Sequence, residues 1–382
     1  MNSTIEILAR IRENSQKHPE EIFTRLYRYM LREDIYLIAY KNLYANSGAS
    51  TKGVDDDTAD GFGEEKIHST IARLKNGTYE PKPSRRIYIP KANGKMRPIS
   101  IPTFSDKIVQ EVMRIILEAV YEPIFLDVSH GFRPSRSCHT ALEQIKHEFT
   151  GARWFVEGDI KGCFDNINHE TLVRIVNSKI KDARFIQLLW KFLKAGYMED
   201  WRYNKTFSGT PQGGIISPIL ANIYLHELDK KVTEIKKTFY KPRERARSPE
   251  YTKLEHEIRA IKTKINRAEG TEKTELIGEL KNTRKRFRDT PCVSQTDKRL
   301  TYVRYADDFI IGIVGNKEDC EKVKQELTAF VADELKMELS AEKTLITHSN
   351  EKARFLGYDI RVRRDNKVKK TKAGRKVRTL NN

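Results

Sequence analysis

Three carboxylates stand where this chain could do phosphoryl chemistry. Asp307 and Asp308 lie side by side in Tyr305-Ala306-Asp307-Asp308, between the apolar runs 300–305 and 309–314. β-Branched and aromatic residues on either side of a short polar break predict a strand-turn-strand hairpin with both acids at its tip. Asp159 ends a further apolar run, Trp154-Phe155-Val156-Glu157-Gly158-Asp159, which predicts a buried strand. Adjacent carboxylates repel each other, so the pair suggests a bound divalent cation. If the strands are neighbours in one sheet, the acids could hold two magnesium ions and align a hydroxyl, a phosphorus and a leaving pyrophosphate. The competing reading of Asp307-Asp308 is a polar hairpin turn, which Asp favours irrespective of function.

The elements that must position these acids belong to a long, basic chain. Its 382 residues can bury a real core and hold two or three subdomains. Lys and Arg number 71 against 53 Asp and Glu, a net charge of +18. Such an excess points to a polyanion, with nucleic acid ahead of an anionic membrane surface. No apolar stretch is long enough to span a bilayer and no basic-then-apolar secretory start is present, so no membrane partner is expected. Cys138, Cys163, Cys292 and Cys320 are far apart, with no Cys-x-x-Cys pair. That spacing argues against a structural zinc site or a disulfide framework, and reduced thiols make a cytoplasmic location the expectation.

Periodicity divides the chain further. Residues 1–52 read as a helical extension, with Ile5, Leu8 and Ile11, then Ile22, Leu26 and Tyr29, then Ile35 and Ile38 at helical spacing. Ile67 to Leu74 predicts a helix that stops near Asn76-Gly77. Two strands around Asn93-Gly94 predict a hairpin over 85–102. Helices are expected over 108–120, 168–180 and 182–193, and after Pro218. Residues 236–299 are densely charged, and Tyr251, Leu254, Ile258, Ile261 and Ile265 form a narrow apolar seam. This segment reads as a helical hairpin inserted into a compact 53–362 domain, or else as a disordered charged loop. An exposed seam there could support a homodimer. Residues 363–382 read as a basic tail.

Several blocks occur in one order: Asp159-Ile160-Lys161-Gly162-Cys163-Phe164-Asp165, Gly209-Thr210-Pro211-Gln212-Gly213-Gly214, and Tyr305-Ala306-Asp307-Asp308. So arranged, they resemble the signature blocks of reverse transcriptases, and more closely those of bacterial group II intron-encoded reverse transcriptases and maturases. The stretches 89–103 and 130–134, Leu339 to Thr344 and Phe355-Leu356-Gly357-Tyr358 add to the resemblance, which covers about residues 50–360.

The resemblance implies an α+β right-hand polymerase, with fingers, a palm built on an antiparallel sheet, a helical N-terminal extension and a helical insertion. It implies RNA-directed DNA polymerisation by two-metal nucleotidyl transfer, with Mg2+ as cofactor, dNTPs, an RNA template and a DNA primer as substrates, and group II intron RNA as partner in splicing and retrohoming. Asp159 and Asp307 would ligate both metals, with Asp308 auxiliary. Phe164 would lie under the incoming sugar and exclude a 2′-hydroxyl; it also reads as a core aromatic. Lys91 and Arg97 bracket the hairpin tip and could clamp a triphosphate, or be ordinary surface charges. Gln212, between Pro211 and two glycines, sits where bare backbone can approach a base pair. Lys343 would protonate pyrophosphate, or be a surface lysine.

Phe355, Gly357 and Tyr358 would grip the primer end, or form a small core hairpin. Arg133 and Arg136, with His130 and Phe132, make a cluster suited to a template strand. Arg25, Arg28 and Arg32 would bind intron RNA, or line a solvated helix face.

Two other readings stay open. An RNA-dependent RNA polymerase shares the acids, but Phe164 speaks against it. An RNA-binding splicing cofactor with weak or lost polymerase activity does not need the acids intact. Retron and CRISPR-associated reverse transcriptases are possible relatives, with the extension and insertion favouring the intron branch. The chain ends soon after Tyr358, where the family continues into an α-helical thumb, so a fingers-and-palm portion or a short member is expected.

Overall fold

The computed structural model describes residues 3–46, 48–90, 94, 96–200, 202–206, 208–209, 213–242, 247–290 and 297–362, with the backbone of 368–370 and 376–378. Helices α1 (Thr4–Lys17), α2 (Glu33–Tyr44) and α3 (Glu64–Asn76) open the chain. Strands β1 (Ser84–Pro90) and β2 (Met96–Ile101) follow, then α4 (Phe104–Tyr121) and α5 (Cys138–Glu148). Next come β3 (Trp154–Asp159), α6 (Cys163–Asn166), α7 (His169–Lys179), α8 (Ala183–Lys194), β4 (Tyr197–Glu199) and β5 (Arg202–Asn204). The long helix α9 (Ser217–Phe239) leads to α10 (Pro249–Ile265) and α11 (Gly270–Asp289). Strands β6 (Arg299–Tyr305) and β7 (Asp308–Val314) precede α12 (Lys317–Asp333) and β8 (Ile346–His348). Short hairpins β9 (Ala353–Phe355) with β10 (Tyr358–Ile360), and β11 (Val368–Lys370) with β12 (Lys376–Arg378), end it.

The central sheet runs β6-β7-β3-β8, antiparallel throughout. Side chains alternate across a strand, so this sheet feeds two cores. Leu300, Tyr302, Phe309, Ile311 and Ile313 enter the larger core with α4, α7, α8 and α9, while Val303 and Ile310 enter a smaller one with Ala141, Ile145, Phe149 and Phe355. A second sheet, β2-β1-β4-β5, carries the expected hairpin, with Ile89 opposite Arg97. Helix α4 follows β2 in the chain and packs in the larger core. Thr103 caps it by accepting the amide of Asp106, and most of its length is buried.

The stop of α3 falls where expected, with Gly77 at φ 76 in the left-handed region. Residues 22–29 are not the helix their spacing predicts. Phe23 exchanges backbone hydrogen bonds with Lys179 and Lys181, and a 3₁₀ turn, Tyr27–Leu31, follows. Pro19 disfavours helix at His18 and α1 has already ended, which leaves this segment free to pair with the end of α7.

Helix α9 runs to Phe239, past the expected start of the insertion at 236. Helices α10 and α11 then pack together, with the Tyr251 and Phe287 rings 4.2 Å apart and Leu254 and Ile261 buried. Of the apolar seam, Leu254 and Ile261 are buried, while Tyr251, Ile258 and Ile265 are half-buried. Among the described residues, no helix is long and apolar enough to cross a membrane.

Candidate active site

Asp159 and Asp308 are direct cross-strand partners on β3 and β7. Tyr305 pairs with Asp308 across β6 and β7, so the connection is the two-residue turn Ala306-Asp307. Ala306 sits at φ 55. Asp307 therefore rides on the tip beside the facing pair. Ser340 donates its amide to the Asp159 carbonyl at 2.8 Å, which brings the 339–344 segment to the site. Lys343 then places Nζ 3.0 Å from Asp159 Oδ1.

Crowding governs the charges here. Burial first, and then Asp159, push the Asp307 carboxyl up. Burial, the neighbouring Asp307 and a hydrogen bond with Asp159 push Asp308 up to about 7. The Lys343 ammonium is raised chiefly by its bond to Asp159. Among the described residues, no group of three or more His, Cys, Asp or Glu side chains stands close enough to enclose a metal as positioned. The donor set nevertheless fits a hard divalent cation: its ligands are all oxygen, and one lysine leaves the negative charge uncompensated. The Lys343 side chain is 66% exposed, free to swing off Asp159.

Two further blocks converge on these acids. Gly162, at φ 55, turns the chain from β3 into α6. The Phe164 ring is half-buried and meets Phe132 edge-on, centroids 6.1 Å apart. Phe132 is exposed, in the left-handed region at φ 57. Gly209, at φ 88, lies so near the Phe164 and Asp165 carbonyls that a Cβ would collide with them. His169 Nε2 fixes the Gly209 carbonyl at 2.7 Å. Gly213, at φ 106, packs as closely on the Ser100 carbonyl of β2. The loop is thus tied at one end to Phe164 and at the other to the β1-β2 hairpin. Gln212 itself and Lys91 lie outside the described residues. Arg97 is exposed on β2, and its charge is felt at Asp307.

The profile of the family described as reverse transcriptase (RNA-dependent DNA polymerase) matches residues 89–241 and 279–360, more than half of the chain. The chain belongs to the reverse transcriptase family. It is 61% identical over 382 residues to the group II intron-encoded protein LtrA of Lactococcus lactis, covering 100% of this chain and 64% of that protein. An uncharacterized 91 kDa protein in the cob intron of Schizosaccharomyces pombe is 43% identical over 353 residues, 91% of this chain and 43% of the relative. Protein YkfC of Escherichia coli is 33% identical over 349 residues, 88% of this chain and 82% of YkfC. The chain spans less than two thirds of the length of LtrA. Polymerases of this family use divalent metals. The unmatched residues 242–278 span α10 and the start of α11.

Several residues expected at the nucleic acid are structural in this reverse transcriptase. Arg133 is buried, bonded through Nε and Nη2 to Glu122 and through Nη1 to the Leu126 and Ser129 carbonyls, each 2.8 Å away. It braces the loop after α4 and cannot reach a template. His130 is held between Thr140 and Gln144. Arg136 pairs with Asp127 at 2.7 Å with a largely covered side chain. Phe132 is the member of that cluster exposed beside Phe164. Arg32 bonds Asp34 and Thr4, tying α1 to α2. Arg25 and Arg28 stay exposed on a groove of about 640 Å3, with Arg10. Phe355 is a core residue of the smaller cluster. Leu356 at φ 51 and Gly357 at φ 82 make the β9-β10 turn, and Tyr358 is exposed.

Arg304, Asp229 and Asn222 were not among the expected site residues, yet Arg304 touches the acid turn and the other two bond Arg304. Arg304 Nη1 donates to the Ala306 carbonyl at 2.8 Å, and Arg304 pairs with Asp229 at 2.6 Å, both side chains fully buried. A signal existed in the alternation of β6. Residues 300, 302 and 304 share a face, so Arg304 points into the core and requires a buried anion.

Proposed function

We propose that the chain is the fingers-and-palm polymerase of a group II intron reverse transcriptase. It extends a DNA primer on an RNA template with dNTPs, and it binds its parent intron RNA to assist splicing and retrohoming. The observation that carries this reading is the facing of Asp159 and Asp308 across β3 and β7, with Asp307 on the adjoining turn. Asp159 and Asp307 would ligate two Mg2+ ions, with Asp308 as an auxiliary ligand. Bound there, the ions would activate the primer hydroxyl and neutralise the leaving pyrophosphate.

The chain's own residues do the rest. Lys343, kept protonated by its bond to Asp159, would pass a proton to the pyrophosphate. Arg97, with Lys91, would draw the triphosphate toward the palm. Phe164 would close the space a 2′-hydroxyl needs, and the loop of Gln212 would meet the new base pair. Arg25 and Arg28 would contact intron RNA phosphates.

Primer extension on poly(rA)·oligo(dT) with dTTP and Mg2+ tests this. Asp307→Ala should abolish extension and leave filter-binding affinity for RNA nearly unchanged. Equal loss of RNA binding would sink the division of labour. A parent chain that binds RNA yet extends no primer would favour an RNA-binding splicing cofactor.

A further inference from the structure

Arg304 is the largest fully buried side chain among the described residues, and each guanidinium nitrogen is bonded. Nε and Nη2 grip Asp229 at 2.7 and 2.6 Å, Nη2 also reaches Ser129 Oγ at 2.8 Å, and Nη1 reaches Ala306 O at 2.8 Å and Asn222 Oδ1 at 3.2 Å. Tyr302 donates to the same Asp229 carboxylate at 2.9 Å. An apolar set of similar volume generally holds a fold as well as a buried ion pair, or better. Stability alone therefore does not account for this arrangement.

Its contacts do. Ala306 occupies a left-handed backbone region that a non-glycine residue keeps only with outside support, and Arg304 holds its carbonyl. Asn222 takes Arg304 on one side and donates to the Gly131 carbonyl at 2.8 Å on the other. The segment 128–131 is laced to the Arg304 backbone, with His130 N to Arg304 O at 2.9 Å and Arg304 N to Val128 O at 2.8 Å. Gly131 packs so tightly that a Cβ would collide with the Ala306 nitrogen. Phe132, whose ring meets Phe164, follows directly.

We propose that Arg304, Asp229 and Asn222 form a positioning clamp that fixes the Ala306-Asp307 turn and, through Gly131, the Phe132–Phe164 wall. The catalytic consequence rests on the polymerase reading above; the structural consequence rests on the contacts alone. The three residues act through Ala306 and Gly131.

The test replaces the polar set by an apolar one, Asp229→Leu with Tyr302→Phe and Arg304→Met, in the full chain. The urea midpoint should stay at or above the parent's. Amide hydrogen exchange across 305–309 should accelerate. Turnover on poly(rA)·oligo(dT) should fall about a hundredfold, the scale of a misplacement of about 1 Å, with the KM for dTTP and RNA affinity little changed. Parental exchange and parental turnover in a folded variant would overturn the clamp. Should the triple variant fail to fold, Asn222→Ala leaves the ion pair in place and is read the same way: faster 305–309 exchange supports the clamp and parental exchange overturns it. Exchange needs no substrate. Faster exchange in a chain whose parent extends no primer would therefore refute the polymerase reading and leave the clamp standing.

Discussion

Asp159 and Asp308 cannot separate without breaking the β3-β7 ladder that sets them opposite each other. Their proximity is built into the strands, and burial first, then the charge of Asp307 and the bond with Asp159, push Asp308 up to about 7. Phe164 is held differently. Its ring leans on the core on one side and on Phe132 on the other, and stays half-buried. Phe164→Ala should therefore reduce sugar discrimination more than it reduces stability. The ratio of kcat/KM for dTTP over UTP is expected to fall about 10- to 100-fold. The urea-derived stability loss should stay below the roughly 3–5 kcal/mol of a fully buried Phe. An unchanged ratio would return Phe164 to the core and remove its role in sugar choice.

At the scale of elements, β3 shows how tightly the scaffold is fitted to its acid. Gly158, next to Asp159, lies under the Phe309 ring, and a Cβ there would meet three of the ring's carbons. Its φ is not in the left-handed region, so the demand is steric. Gly158→Ala should cost about 1–3 kcal/mol in urea unfolding through overpacking, and lower turnover as the ring displaces the neighbouring strand. Parental stability would mean the ring has room to turn aside.

The palm strands were legible because residues buried on both faces read as unbroken apolar runs, and α3 was legible to its last residue because Gly77 can take the left-handed cap. Residues 22–29 were not, since pairing of Phe23 with a segment far along the chain overrode local periodicity. Arg133 looked like a template contact because its type says nothing of where its charge is answered; Glu122 and two carbonyls answer it. Arg304 could have been read from the alternation of β6, though its partner on α9 could not.

For the whole molecule, a charge of +18 overstates the cations free to meet a polyanion. Lys107 is bonded to the Gly48 and Thr51 carbonyls, Arg114 to Glu111 and Glu118, Arg133 to Glu122, and Arg304 to the buried Asp229. Arg25 and Arg28 are different: both are exposed on the groove beside α1, whose walls include Ile7, Ile22 and Tyr29. Such a surface offers cations to phosphates and an apolar floor to bases. Removing both arginines in Arg25→Ala with Arg28→Ala should weaken RNA in filter binding. It should also flatten the dependence of log K on log salt by about 1.4, at roughly 0.7 per phosphate contact on a single strand. The urea midpoint should hold, because neither side chain is buried. Turnover on saturating poly(rA)·oligo(dT) should hold as well, since the acids and Lys343 belong to the palm. Unchanged affinity and slope would take this groove out of the RNA-binding surface. A fall in saturated turnover matching the fall in affinity would mean that RNA held at the extension also sets the geometry of the palm.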